Sequence, residues 1–202
     1  MKIGFIGAGT VAQTIAKHVL PFGHQVMLSN SRGPDSLSDV VKKLGTGAAA
    51  GTPLEVAEQD IVVLATGWPN VQSALFAVGD WKGRILVDAT NRVASYAPLS
   101  LGDISGRTSS EIVADLAPGA KVVKAFNSVP MSWISDLSPS RPRTVLFISG
   151  DDNEAKKPIN SLIEQVGFAC IDLGSLAVGG RLQQLGGPLA GLRLTFAERF
   201  AL

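Results

Sequence analysis

The stretch "KIGFIGAGTVAQTIAKHVL", residues 2–20, decides the fold. Residues 2–6 form a short apolar run that stops at a glycine. From Thr10 the apolar residues recur at helical spacing, and the run closes at Gly23. Between the two runs, Gly7, Gly9 and Ala12 stand in G-x-G-x-x-A order, with Ala8, Thr10 and Val11 completing the loop. A strand, a glycine turn and a helix start in that order make a dinucleotide-binding fingerprint. Gly7 allows the tight turn, Gly9 lets the backbone approach a pyrophosphate, and Ala12 permits close packing of helix on strand. The helix start offers free N–H donors.

The rest of the chain repeats the alternation. "QVMLS" (25–29) reads as a second strand and "DSLSDVVKKLG" (35–45) as a helix, with a Ser-x-x-Asp start at Ser36 and a glycine stop. "TGAAA" (46–50) reads as a short third strand, and "TPLEVAEQ" (52–59) as a helix with proline in its first turn. "DIVVLAT" (60–66), "RILVDAT" (84–90) and "KVVKAFNS" (121–128) have the continuous Val/Ile/Leu content of strands covered on both faces. Helical segments fall between them, at about 70–78 and 108–117. This predicts an α/β fold: a doubly wound, mostly parallel Rossmann sheet over residues 1–143. A small C-terminal α/β extension follows at 144–202, expected to serve the substrate or dimerisation. It holds a strand (144–150), a helix (153–167), a second strand (168–174) and a tail. The tail (176–200) reads as one or two helices broken at Gly186-Gly187-Pro188.

Composition narrows the function classes. The 202 residues are 46% hydrophobic and 17% charged, enough to bury a real core. Basic residues number 18 against 17 acidic, without basic runs or basic–aromatic patches, so neither nucleic acid nor an anionic membrane is expected as partner. One cysteine, Cys170, excludes an internal disulfide and a cysteine metal cluster. No apolar run reaches the ~20 residues of a membrane span, and strand-like sequence follows Met1 directly, so no signal peptide is expected. A cytoplasmic protein with a small-molecule partner is the expectation.

The second strand ends in "SNSRGP" (29–34), where a dinucleotide site would normally place an acid on the ribose hydroxyls. Ser29, Asn30 and Ser31 offer neutral donors instead, and Arg32 brings a planar cation suited to phosphate. The expected selection is NADP(H) over NAD(H). Further site residues should lie at the carboxyl ends of the strands: Thr66, Gly67 and Trp68, then Thr90 and Asn91, then Asn127, Ser128, Val129, Pro130 and Met131. Trp68 either covers the adenosine side or packs in the core.

Acid–base residues are scarce where chemistry would need them. His18 lies within the first helix and His24 before the second strand, and both read as surface groups. Tyr96 has no lysine four residues later, Cys170 sits in an apolar run as a core residue, and no metal-ligand spacing occurs. Reducing a carbonyl by hydride needs a proton donor at the oxygen. Passing hydride to a flavin-like ring mainly needs two rings held face to face. A site lined by Asn127, Ser128, Pro130 and Met131 suits the second case.

"FIGAGTVAQTIA", "SNSRGPDSL", "VDATN", "VVKAFNSVP" and "SGDDNEAKKPINSLIEQVGF…DLGSL…GRLQQLGGPLA" together resemble the NADPH:F420 oxidoreductase family, the F420-dependent NADP reductases, across nearly the whole chain and in the same order. The resemblance implies a Rossmann domain with a small C-terminal part, a homodimer, and hydride transfer between NADPH and the deazaflavin F420. It carries nucleotide contacts to Thr10, Val11, Ser31, Arg32, Thr66, Gly67 and Trp68, beside the glycines. It puts the deazaflavin near Asn91, Asn127, Val129, Pro130 and Met131. Two positions depart from the pattern: archaeal members carry His where this chain has Asn127, and Gln184 replaces the acid that follows Arg181 and Leu182 in the family's C-terminal motif. FMN or FAD as co-substrate, a carbonyl or imine substrate, reduction of a metal through flavin, and a non-catalytic NADPH-binding module remain as alternatives. In the tail "LAGLRLTFAERFAL" (189–202) the apolar residues are expected to pack on the Rossmann domain or on a second subunit.

Overall fold

The computed structural model describes residues 1–135 and 142–197. Strand β1 (Lys2–Ile6) leads through the glycine loop into helix α1 (Thr10–Val19). Then come β2 (Gln25–Ser29), α2 (Ser38–Leu44), β3 (Ala48–Ala50), α3 (Pro53–Ala57) and β4 (Ile61–Leu64). Helix α4 (Val71–Phe76) and strand β5 (Ile85–Asp88) precede a hairpin of β6 (Val93–Tyr96) and β7 (Leu99–Leu101). The chain continues through α5 (Ser109–Leu116), β8 (Lys121–Lys124), α6 (Met131–Ile134), β9 (Arg143–Gly150), α7 (Asn153–Gln165) and β10 (Ala169–Asp172). It reaches α8 (Gly179–Gln183) and a two-residue strand, β11 (Thr195–Phe196).

The sheet order is β10-β9-β8-β5-β4-β1-β2-β3, with β11 added to β9. From β3 to β8 every pairing is parallel, as predicted. Strand β1 has β2 on one side and β4 on the other, so the strand order reverses there. Such a switch point is where an open α/β sheet leaves a crevice. Strands β9 and β8 pair antiparallel, Lys124 opposite Ser149 and Val123 opposite Gly150. Residues from 143 onward therefore extend the same sheet.

The core follows from strand alternation. Val63, Val87 and Val123 turn into one apolar cluster with α1 and α7, whereas Val62, Leu64, Leu86 and Val122 turn into another with α3, α4 and α5. A third, small cluster covers β9 and β10 with Leu189 and Phe196. Those two tail residues thus pack within the chain, while residues 198–202 of the same stretch lie outside the described residues.

Several local expectations are corrected. The first helix ends at Val19, and Leu20–Phe22 tighten into a 3-10 turn, because Pro21 has no N–H to continue the ladder. The expected helix start at Ser36 is a 3-10 turn, Pro34–Leu37. There the Ser36 hydroxyl donates to the Gly33 carbonyl at 2.7 Å, and α2 begins two residues later. Strand β8 stops at Lys124, since Phe126 has φ +59 and turns the chain. Among the described residues of the tail only α8 is helical, and Thr195–Phe196 instead pair with Thr144 and Arg143 of β9. The β6–β7 hairpin lies in a stretch with no element predicted, although "VASY" and "LSL" around a proline carry its alternation. Helices α3 and α5 both open on complete capping boxes, Thr52 with Glu55 and Thr108 with Glu111. Among the described residues no helix is long and apolar enough to cross a membrane.

Candidate active site

A cleft of about 690 Å³ opens at the carboxyl ends of β1, β2 and β4, at the switch point. Its floor is the glycine loop. Gly7 has φ +117, and a Cβ there would collide with the carbonyl of Ala65. A Cβ at Gly9 would meet nothing within 4 Å, so it would stand in the cleft. Gly9 is the N-cap of helix α1, with no side-chain cap and no acid in the first turn, which leaves the helix's first amides and the positive end of its dipole facing the cleft. Open space above Gly9 and uncapped amides fit a pyrophosphate. Gly7, Ala8, Gly9, Asn30, Ser31, Arg32, Thr66 and Gly67 all line the cleft as predicted from their positions.

The loop after β2 is built by its own side chains. Asn30 Oδ1 accepts the Arg32 amide at 2.9 Å, and Asn30 Nδ2 donates to Ser36 Oγ at 2.9 Å. Both ends of Asn30 are therefore spent on shaping the loop that presents Ser31 and Arg32. Ser29 is corrected: it is fully buried, and its hydroxyl donates to the Phe5 carbonyl at 3.2 Å, so it offers no free donor at the cleft. Arg32 is exposed, and its guanidinium forms none of the ion pairs among the described residues. Arg32 fits the 2′-phosphate of NADP, with no acid on the loop tip Asn30–Ser31 to repel it.

Five predicted nucleotide contacts lie elsewhere, Asn91 among them on the acceptor side. Thr10 and Val11 form the first turn of α1 and do not line the cleft, Thr10 being exposed. Trp68 is half-buried against the second core cluster, with its indole close to Gly102, which decides for packing. Thr90 is 3% exposed and its hydroxyl donates to Asp88 Oδ1 at 2.7 Å. Gln13, Ser36, Asn70 and Ser73 line the cleft without having been singled out. Gln13 had a legible signal: a polar residue one helical turn from the glycines, and its amide donates to the Ala8 carbonyl at 2.8 Å.

The acceptor-side residues do gather, but not as open catalytic groups. Asn91 Nδ2 donates to the Asn127 carbonyl at 2.9 Å, and Asn127 Nδ2 donates to Asn91 Oδ1 at 3.3 Å and to the Gln183 carbonyl at 2.9 Å. Leu185 N–H also donates to Asn91 Oδ1, at 3.3 Å. These amides bind the ends of β5 and β8 to the C-terminal segment after α8. Asn127 and Ser128 are buried, and the Ser128 carbonyl accepts the Gly191 amide at 2.7 Å. Pro130 is exposed and Met131 half-buried at the start of α6.

Beneath this face lies a buried ion pair that no sequence motif announces. Asp88 and Lys124, the last residues of β5 and β8, form an ion pair at 3.0 Å with both side chains 0% exposed. Asp88 also accepts Ser110 Oγ at 2.5 Å, and the amide and hydroxyl of Thr90. Lys124 donates further to the Thr90 carbonyl at 3.2 Å and Ser109 Oγ at 3.3 Å. Burial alone would raise the Asp88 carboxyl, but the ammonium of Lys124 and the donors from Ser110 and Thr90 outweigh it, holding it below its ordinary value. The signal was one acid and one base, each closing an otherwise apolar run.

Both histidines depart from the surface reading. His24 is 8% exposed, with Nε2 2.9 Å from Gln165 Oε1. His18 is half-buried, bonded to the carbonyl of Ile134 and edge-on to Phe168. Burial lowers the His18 pKa from its ordinary value despite that bond. Cys170 is the expected core residue, and burial pushes its thiol up to about 12, far from a reactive thiolate. Among the described residues no group of three His, Cys, Asp or Glu could hold a metal ion.

Comparison with known proteins agrees with this architecture. Residues 2–92 match the family model described as NADP oxidoreductase, coenzyme F420-dependent. The hypothetical protein SMa0349 of Sinorhizobium meliloti is 37% identical, with a TM-score of 0.90 over 98% of this chain and 96% of that one. A protein of Arthrobacter sp. FB24, provisionally named an F420-dependent NADP reductase, is 29% identical, with a TM-score of 0.74 over 87% of this chain and 86% of that one. The metalloreductase STEAP3 of Rattus norvegicus is 29% identical over 87% of this chain and 34% of its own length. The chain thus spans about a third of the length of the curated metalloreductases it matches. Fingerprint, cleft, cation after β2 and these likenesses agree: the chain belongs to the coenzyme F420-dependent NADP oxidoreductase family.

Proposed function

We propose that the protein transfers hydride between NADPH and a flavin-like acceptor, with the deazaflavin F420 first among such acceptors and FMN or FAD next. One observation carries the reading: the face beside the nucleotide cleft is made of neutral amides, Asn91 and Asn127, over a charged pair that is fully buried and fully engaged. A carbonyl acceptor would need a proton donor there, whereas a flavin-like ring delocalises the incoming charge itself. NADPH, when bound, supplies the hydride. The chain's own part is to hold the pyrophosphate at Gly7, Gly9 and the start of α1, to hold the 2′-phosphate at Arg32, and to fix the rings' mutual orientation.

The test has two arms. Calorimetry should find NADPH bound about 10- to 100-fold more tightly than NADH, the value of one or two charge-assisted bonds, and Arg32→Ala should erase the gap. Purified protein with NADPH should then reduce F420, FMN or FAD, followed by loss of NADPH absorbance. Failure with all three sinks the acceptor reading, even if the nucleotide binds. The metalloreductase relatives favour a second reading, in which reduced flavin passes its electrons on to a metal ion. Ferric reduction that depends on added flavin would separate the two.

A homodimer in the cytoplasm goes with this reading. Tyr96 and Leu99 project from the β6–β7 hairpin at 82% and 65% exposure, apolar surface that a second subunit would cover. Sedimentation at micromolar concentration should give a dimer, and a monomer would remove that part of the proposal.

A further inference from the structure

Four lysine and arginine side chains among the described residues are not exposed. Arg84 pairs with Glu58, Lys124 with Asp88 and Lys156 with Asp172. The fourth, Arg92, belongs to none of the ion pairs among the described residues. Its Nη1 donates to the Gly102 carbonyl at 2.8 Å, but its Nε is enclosed and has no acceptor. Its Nη2 faces the C-terminal loop, 3.8 Å from where a Cβ on Gly186 would stand. A half-enclosed guanidinium with unspent donors is costly unless an anion answers it. Its place is specific. Arg92 follows Asn91, whose side chain closes on Asn127, and Gly186 follows Leu185, whose amide donates to the same Asn91.

Resting on the proposed transfer to a flavin-like acceptor, we infer that Arg92 is a specificity residue that recognises a phosphate on that acceptor. The planar guanidinium suits phosphate oxygens, and Nη2, which unlike Nε is not enclosed, is the donor that would meet one. The substrate class is then a phosphorylated flavin-like compound, and the unphosphorylated ring system is a poor substrate.

FMN and riboflavin differ by that phosphate alone. Their affinities for the NADP+-loaded protein are read from quenching of flavin fluorescence, and their reduction from loss of NADPH absorbance. Wild type should bind FMN at least about tenfold more tightly than riboflavin, the worth of a charge-assisted bond. Arg92→Gln should bring the ratio close to one, Arg92→Lys should keep part of it, and NADPH affinity should hold in both. Thermal melts check folding; the wild-type ratio and Arg92→Lys keep the test decisive if Arg92→Gln fails to fold. Equal binding of the two flavins by wild type overturns the inference, while reduction of both would leave the proposed function standing. A ratio unmoved by Arg92→Gln, with NADPH weakened instead, assigns the anion to the nucleotide and also overturns it. Selective FMN binding without reduction retains the phosphate site and removes the proposed function. No binding of either flavin overturns the site.

Discussion

At the scale of single residues, the Asp88–Lys124 pair sets the terms for everything around it. Neither group reaches water, so each depends wholly on the other and on Thr90, Ser109 and Ser110. Removing one partner leaves an uncompensated charge in the interior, at a cost of about 3–5 kcal/mol. Asp88→Asn should therefore lower the melting temperature sharply, and the double change Asp88→Asn with Lys124→Met should recover much of it, because no lone charge remains. A double variant no more stable than Asp88→Asn would contradict this account. The pair also sets an acid limit. The Asp88 carboxyl lies below its ordinary 3.8 in the folded chain, so its stabilisation is complete above that value and is lost as pH falls through the folded value. Acid unfolding of wild type should show this loss in that range, and the double variant should lack it.

At the scale of elements, α1 is tied at both ends. Its N-terminus meets the cleft, and near its C-terminus His18 bonds to the last carbonyl of α6, the short helix that opens with Met131 on the acceptor face. The lowered His18 pKa means that the folded chain favours the neutral ring. Its contribution is complete above the ordinary value of 6.5 and declines as pH falls from there through the folded value. Wild type should lose thermal stability between pH 7.5 and 5.5, and His18→Gln should lose less over the same interval. Equal losses would remove His18 as the cause. The periodicity of α1 was plain in the sequence, but its tie to α6 was not. That contact spans 116 residues, and no local pattern reports it.

At the scale of the whole molecule, the parallel strands and the switch point were legible because buried parallel strands write themselves as apolar runs and the fingerprint marks the first turn. The glycine loop and Arg32 were legible for the same reason: local backbone demands select their residue types. The rest was hidden where function and packing share a residue type. Asn30 and Thr90 look like ligand donors but spend their side chains on the backbone and on Asp88. Asp88, Lys124 and Arg92 look like surface charge, and only the stacking of β5 against β8 and the return of the C-terminal segment bring them inside. The tail misread as helix follows the same rule, since β11 exists only through its partner β9.

The terminal strands of the sheet carry one more consequence. β3 has three residues, all alanine, at one edge, and β10 has four at the other. An unpaired edge is a template on which a foreign strand can add, and the hazard grows with its length and its apolar side chains. Here both margins are short: eight-residue β9 is covered on its outer side by only four residues of β10, and the opposite edge ends in three. A chain that is 46% hydrophobic thus keeps its sticky backbone short where it faces outward, a shape that discourages fibril growth without spending charge on the task.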